Sequence, residues 1–219
     1  MAQRPKNPEP RPQPRLYLIT PAIVDVAAFA PALTSALTSG DVAAVLVRLA
    51  DGDDRTQINR VKMLAPIAQA AGAALLLDGH AGLVARSGAD GAHVVTSDVA
   101  DALEMLKPDW IVGVGAVTSR HDGMTAAEAG CDYVMFGEPD AQGHRPPFDT
   151  ILERVAWWAE VFEIPCVACA ASIDEIAPLI EAGADFIAVG HDAGDWIWAN
   201  PAPALAALAP HLKLPEAAL

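Results

Sequence analysis

Three short stretches of this 219-residue chain follow one plan, and that plan narrows the folds open to it. Gly88-Ala89-Asp90-Gly91-Ala92, Gly130-Cys131-Asp132-Tyr133-Val134 and Gly183-Ala184-Asp185-Phe186-Ile187 each run glycine, small residue, aspartate, then an apolar segment. Gly40-Asp41 and Gly72-Ala73 are weaker copies. A glycine after an amphipathic stretch suits the left-handed position that closes a helix. The aspartate can bond locally in the short turn that leads into a strand. Apolar runs that read as strands lie at 16–20, 43–49, 74–77, 92–95, 111–115, 133–137, 166–170 and 186–190. Between and after them, helical spacing occupies 25–38, 56–71, the neighbourhood of 81–86, 98–106, 120–129, 148–162, 173–182 and 202–212. Continuous apolar strands alternating with helices predict a parallel sheet covered by helices. Repetition of one helix-to-strand turn favours closure, so the expected fold class is α/β, a (β/α)8 TIM barrel over residues 15–219. An open flavodoxin-like or Rossmann sheet is the alternative, weakened because no GxGxxG follows the first strand. The repeated aspartates precede their strands, on the barrel face remote from function, and read as structural.

Residues 1–14, MAQRPKNPEPRPQP, alternate proline with polar and charged residues and bury no apolar surface, so a disordered Pro-rich tail is expected there. With no apolar core, the segment does not read as a secretory signal. The chain carries a net charge of −14, but Arg4, Lys6, Arg11 and Arg15 against Glu9 give its first fifteen residues +3, leaving −17 on the body. Such a body repels polyanions, which argues against nucleic acid and anionic membranes as partners. No apolar run approaches the roughly 20 residues that cross a bilayer. A small phosphorylated metabolite remains compatible, because backbone N–H groups and one arginine can hold it. Cys131, Cys166 and Cys169 are too few for a disulfide framework and suit a reducing cytoplasm. Cys166-Val-Ala-Cys169 has the spacing of a redox or metal motif, yet residues three apart on a strand point to opposite faces, so its sulfurs should diverge.

In a barrel, chemistry gathers where strands run into the following loops. Those positions here are Thr20, Arg48, Asp78 with His80, Thr96-Ser97-Asp98, Gly115, Glu138, Ser172 and Gly190-His191-Asp192. Arg48 interrupts the run AAVLVRLAD, where a charge needs a partner or a ligand. It reads equally as a phosphate clamp and as the ion-pair partner of an acid such as Asp78. Asp78 and Asp98 stand on adjacent strands and could converge on one Mg²⁺. Asp98 also has the place of an N-cap for a helix beginning at Val99, which is the favoured reading. Glu138 directly follows the sixth strand; partial desolvation there would raise its pKa and suit it to proton transfer near neutrality, against the alternative of a solvated loop. Ala170-Ala171-Ser172 and Gly190-His191 close strands seven and eight, where barrels of this class often bind phosphate through loop N–H groups. His191 taken alone reads as a surface or capping histidine. Trp157 and Trp158, adjacent on one helix, cannot both face the core, so at least one is expected at a helix–helix seam or an oligomer interface. Trp196 and Trp198 are expected at the pocket rim or, more simply, at the interface of a homo-oligomer.

From residue 16 to about 208 the chain resembles the thiamine phosphate synthase family. The resemblance rests on LYLIT at 16–20, VLVR at 45–48, GADGAHV at 88–94, IVGVGA at 111–116, DYVMFG at 132–137, IPCVA at 164–168 and EAGADFIAVG at 181–190. It implies a (β/α)8 barrel. Its synthase branch joins a hydroxymethylpyrimidine diphosphate to thiazole phosphate with Mg²⁺ and expels pyrophosphate. Its TenI-like branch contains a thiazole phosphate tautomerase that needs no such metal. By resemblance Arg48 is the arginine of a strand-two QxRxK pattern whose flanking positions are here Leu46 and Ala50. Asp98 matches a metal-ligand carboxylate, and Asp78-Gly79 stands where the synthases have Asn-Asp. Ala170-Ala171 replaces a double glycine whose amides hold the thiazole phosphate. The Thr- and Lys-containing loop after strand six is replaced by the segment from Glu138 to Arg145, and Glu138 occupies the place of the tautomerase's acid/base histidine. Three expectations follow: a synthase using Arg48, Asp98 and Mg²⁺; a proton-transfer enzyme using Glu138; or a barrel that binds a phosphometabolite without turnover.

Overall fold

The computed structural model describes residues 11–140, 143–191 and 196–214. In chain order the chain forms β1 (Arg15–Ile19), α1 (Val26–Ser39), β2 (Val42–Val47), α2 (Asp54–Ala70), β3 (Ala74–Asp78), α3 (Val84–Ser87), β4 (Gly91–Val95) and α4 (Val99–Leu106). It continues through β5 (Ile111–Gly115), α5 (Arg120–Ala129), β6 (Tyr133–Phe136), α6 (Phe148–Val161), β7 (Cys166–Cys169), α7 (Ile176–Ala182), β8 (Phe186–Val189), α8 (Trp196–Ala199) and α9 (Pro201–Leu208). The strands pair in parallel in sequence order and β8 returns to β1, so the sheet closes into a barrel. The open-sheet alternative is thereby excluded. Strand bounds fall within two residues of the apolar runs in the sequence, because buried parallel strands have no polar face to blur their ends.

The Gly-x-Asp turns explain how the ring is registered. Gly88, Gly130 and Gly183 close α3, α5 and α7 at φ of +82°, +99° and +115°, the left-handed region that side chains disfavour. The aspartates do more than bond within their own turn. Asp90 accepts from the Leu75 N–H at 2.7 Å, Asp132 from Val112 at 2.7 Å and Asp185 from Cys166 at 2.9 Å. Each is therefore a clasp onto the first or second residue of the preceding strand. Their own N–H groups bond the carbonyls of those same residues, so each turn is fixed at two points.

The core has two layers. One lies between strands and helices and includes Leu33, Leu64, Ile151 and Leu205; the other fills the barrel and includes Tyr17, Leu46, Leu76, Tyr133 and Met135. Cys166 belongs to the outer layer and Cys169 to the inner one, so their sulfurs diverge as expected. Trp158 is fully buried, stacks on Phe162 at 4.2 Å and donates to the Ile164 carbonyl. Trp157 lies beside it, with the Arg120 guanidinium of α5 5.0 Å above its ring, which places it at the α5–α6 seam. Trp198 differs from expectation. It is buried against Phe29 of α1, and its indole N–H donates to the Ile19 carbonyl at the end of β1. Packing beneath the barrel end, rather than the pocket rim or an interface, accounts for it. Asp195, next to Trp196 in sequence, lies outside the described residues. At the other end of the chain, Arg11 donates to the carbonyls of Ile180 and Ala184, while residues 1–10 of the expected tail are outside the described residues.

Candidate active site

The C-terminal ends of β2, β3, β4 and β6 open into a cavity of about 710 Å³. Arg48, Asp78, His93, Asp98, Glu138 and His191 line it. Five of these were legible as strand-end residues; His93 was not. The Arg48 side chain is held near the centre. Its Nε donates to Asp78 at 3.1 Å, one terminal nitrogen reaches the His191 carbonyl at 3.5 Å, and the other lies 3.7 Å from Glu138 Oε1. Its backbone N–H donates to the hydroxyl of buried Thr20, which gives Thr20 a structural part at this end of the barrel. Both readings of Arg48 therefore meet: it pairs with Asp78 and still lines the cavity.

Asp98 corrects an expectation. It precedes α4, but its side chain makes no capping bond; a 3-10 turn at Thr96–Asp98 leads into the helix instead. The carboxylate accepts from the Ser97 hydroxyl at 2.7 Å and borders the cavity. A tight 3-10 entry carries the aspartate past the dihedrals from which a cap reaches the first-turn N–H groups.

Glu138 is the most constrained acid of the site. Its side chain is only 11% exposed. Oε2 lies 3.3 Å from His93 Nε2 and accepts from the Ala116 N–H at 3.3 Å. Burial pushes its carboxyl upward, as expected from the sequence, but the charge and hydrogen bond of His93, then Arg48 and the Ala116 N–H, outweigh it and hold the pKa below the ordinary value. The expected upward shift is thus reversed, because desolvation is met by two basic partners.

Behind Glu138 runs a chain that sequence reasoning missed. His93 Nδ1 meets the Tyr133 hydroxyl at 2.9 Å, and that hydroxyl meets Tyr17 at 2.7 Å. An ionised carboxylate only accepts, so His93 presents Nε2–H to Glu138. The Tyr133 hydroxyl lies between His93 Nδ1 and the Tyr17 hydroxyl, which gives every member a partner. The signal for this chain was present but diffuse: one histidine within the apolar run GAHVV, and two glycines two apart in IVGVG on the adjoining strand. His93 pairs in register with Gly113.

The expected phosphate end at β7 and β8 is arranged differently. The Ala170 N–H donates to the Ala188 carbonyl at 2.9 Å, and the Ala171 N–H donates to Glu175 at 2.8 Å. Glu175 in turn makes a two-pronged pair with Arg145 at 2.7 and 3.0 Å. Arg145 also donates to the carbonyls of Gly137 and Cys169, stitching the ends of β6 and β7 together. Both alanine amides expected to face a phosphate are therefore bonded within the protein. Ser172 is exposed at the start of the next turn, and Gly190 has a φ of +92° where an added Cβ would stand 2.6 Å from the Ile19 carbonyl. His80 borders a neighbouring cavity with Arg86 and Met105. Asp192 lies outside the described residues.

Among the described residues no group of three or more His, Cys, Asp or Glu is arranged to hold a metal ion. Mg²⁺ at diphosphate sites is commonly held by one or two carboxylates with substrate oxygens and water completing the shell. Asp98, which accepts from Ser97, and Asp78 across the same cavity suit that arrangement.

Comparison with known proteins gives this geometry its context. A protein from Rhodospirillum centenum named thiamine-phosphate synthase is 45% identical over 199 residues, covering 89% of this chain and 94% of that protein. One of the same name from Hyphomonas neptunium is 39% identical, covering 86% and 88%. The solved thiamine phosphate pyrophosphorylase of Pyrococcus furiosus shares the fold at a TM-score of 0.72 and 23% identity, over 91% of this chain and 96% of that one. Residues 16–193 match the family model described as thiamine monophosphate synthase, and the chain belongs to that family.

Proposed function

We propose that this chain is a thiamine-phosphate synthase, joining a hydroxymethylpyrimidine diphosphate to thiazole phosphate and releasing pyrophosphate. The observation that carries the reading is the meeting of Arg48, Asp78 and Asp98 at one cavity, in a chain 45% identical to a protein of that name. In the reaction the bond between the pyrimidine methylene carbon and the diphosphate oxygen breaks, and its electron pair leaves with pyrophosphate. The thiazole nitrogen then supplies a pair to the methylene carbon. Arg48 faces the diphosphate, where a fixed guanidinium stabilises the charge that builds on the leaving oxygen. Asp78 and Asp98 would hold Mg²⁺, which when bound contributes charge neutralisation at the departing diphosphate. At the far end, with the Ala170 and Ala171 amides already bonded, a thiazole phosphate falls to Ser172 and the Gly190–His191 turn. Three buried thiols suit a cytoplasmic setting.

The lowered pKa of Glu138 makes it a weak base, which disfavours the tautomerase reading. The test is pyrophosphate release with both substrates present. It should depend on Mg²⁺ and stop on chelation. No release, with thiazole phosphate still raising the melting temperature, would instead identify a binding protein without turnover. Solvent deuterium entering the thiazole and lost in Glu138→Gln would identify the proton-transfer enzyme.

A further inference from the structure

Cleavage of the diphosphate leaves positive charge on the pyrimidine methylene, and the cavity holds a carboxylate that no established part of the site uses. Glu138 lines the cavity, with Oε2 tied back to His93 and the Ala116 N–H and Oε1 3.7 Å from Arg48. The surroundings are built for this placement. Gly113 and Gly115 lie inside β5, where glycine weakens a strand and marks a close approach. A Cβ on Gly115 would collide with both Glu138 Oε2 and His93 Nε2, and one on Gly113 would enter the Tyr133 ring. Ala116, the next residue, has a φ of +52°, a conformation costly for a residue with a side chain, and its N–H is the one aimed at Glu138. Gly115 and the strained Ala116 therefore make room for, and point at, a single carboxylate, while Gly113 makes room for the tyrosine behind His93.

We infer that Glu138 is the counter-charge to the pyrimidine cation, and that His93, backed by Tyr133 and Tyr17, is the positioning residue that aims it. The inference rests on the synthase reading for the identity of the cation. Among the described residues, Arg48 just after β2, His93 from β4 and Ala116 after β5 face Glu138, with Asp78 beyond Arg48. Glu138 thus presents a fixed negative charge to the cavity beside Arg48. A carboxylate fixed before the reaction stabilises the developing cation without reorganising.

The experiment compares two pyrimidines by calorimetry in the presence of pyrophosphate and Mg²⁺: the neutral hydroxymethyl compound and its aminomethyl analogue, whose ammonium stands where the cation forms. The wild-type protein should prefer the ammonium by roughly tenfold, as a partly buried ion pair allows. Glu138→Gln should remove the preference. His93→Ala should narrow it, and His93→Gln, which keeps an N–H donor, should restore part of it. In turnover, Glu138→Gln and His93→Ala should lower kcat with little change in KM, and His93→Gln should recover part of kcat. Should Glu138→Gln fail to fold, Glu138→Asp, which keeps the charge but withdraws it, should weaken the preference. Equal binding of the two compounds by the wild type, or a preference that survives Glu138→Gln, overturns the assignment. So does a His93→Ala variant with an unchanged preference, as far as His93 is concerned. A wild type that prefers the ammonium but releases no pyrophosphate removes the synthase reading while leaving Glu138 as the cation's partner.

Discussion

At the scale of single residues, the site is a balance of charges in a confined space, and Arg48 decides it. The guanidinium faces Asp78 and Glu138 at once, in a fork geometry that an ammonium cannot reproduce. Arg48→Lys should therefore cost about a hundredfold in kcat/KM for the synthase reaction, measured at saturating Mg²⁺, with Arg48→Ala costing more. Glu138 gives a second handle. Its folded pKa lies below its unfolded one, so the unfolded chain binds more protons in the window between them and stability rises with pH across it. The contribution is complete above the ordinary carboxyl pKa of about 4.3 and is lost as pH falls through the folded value. Urea unfolding followed from pH 6 downward should show a shallower acid decline in Glu138→Gln than in the wild type. Arg48, Asp78, Asp98 and Glu138 were legible because each breaks or ends an apolar run. His93 was not, because a histidine inside a strand has no period of its own; only the structure shows it reaching Glu138 on one side and Tyr133 on the other. The direction of the Glu138 shift was likewise hidden, since burial and partners act in opposite senses and only geometry weighs them.

At the scale of elements, the helix-to-strand turns carried most of the fold. The Gly-x-Asp repeat marked where β4, β6 and β8 begin, and the apolar runs marked the remaining strands. What the repeat concealed was the aspartate's partner, which belongs to the preceding strand and is far away in sequence. Substituting Asp90, Asp132 or Asp185 by Ala strips a carboxylate from a strand-leading N–H and should cost about 1–3 kcal/mol each. The three clasps sit on alternate turns of the ring and share no bond, so double substitutions should be close to additive in denaturant unfolding. Gly113→Ala probes the barrel interior. Its Cβ has no room beside Tyr133, so β5 or the tyrosine must move, at a cost of about 1–3 kcal/mol. The same change should loosen the Tyr133–His93 contact and reduce kcat more than a stability loss of that size explains. Helix starts were less legible than strands: Asp98 reads as a cap, yet a 3-10 turn takes its place, and Trp198 reads as a pocket-rim or interface aromatic, yet its N–H seals the end of β1.

At the scale of the whole molecule, charge sets a condition on the reaction. The chain carries −14, and both proposed substrates are anions that must reach a cavity lined by Asp78, Asp98 and Glu138 as well as Arg48. A negative body lowers the local concentration of such ligands, the reverse of the steering found where protein and ligand are oppositely charged. Screening should therefore help rather than hinder. The Debye length falls from about 30 Å at 0.01 M to about 10 Å at 0.1 M ionic strength, which removes most of the long-range repulsion but little of the short-range pairing inside the cavity. At saturating Mg²⁺, kcat/KM for thiazole phosphate should rise severalfold across that range, with kcat nearly constant. Replacing exposed acids far from the cavity, such as Glu153 and Glu160 on α6, by glutamine should raise kcat/KM at low salt and flatten the salt response. A rate that falls with added salt would mean that local cations at the mouth, Arg48 foremost, outweigh the body's charge. The acidity read from the sequence would then describe solubility alone.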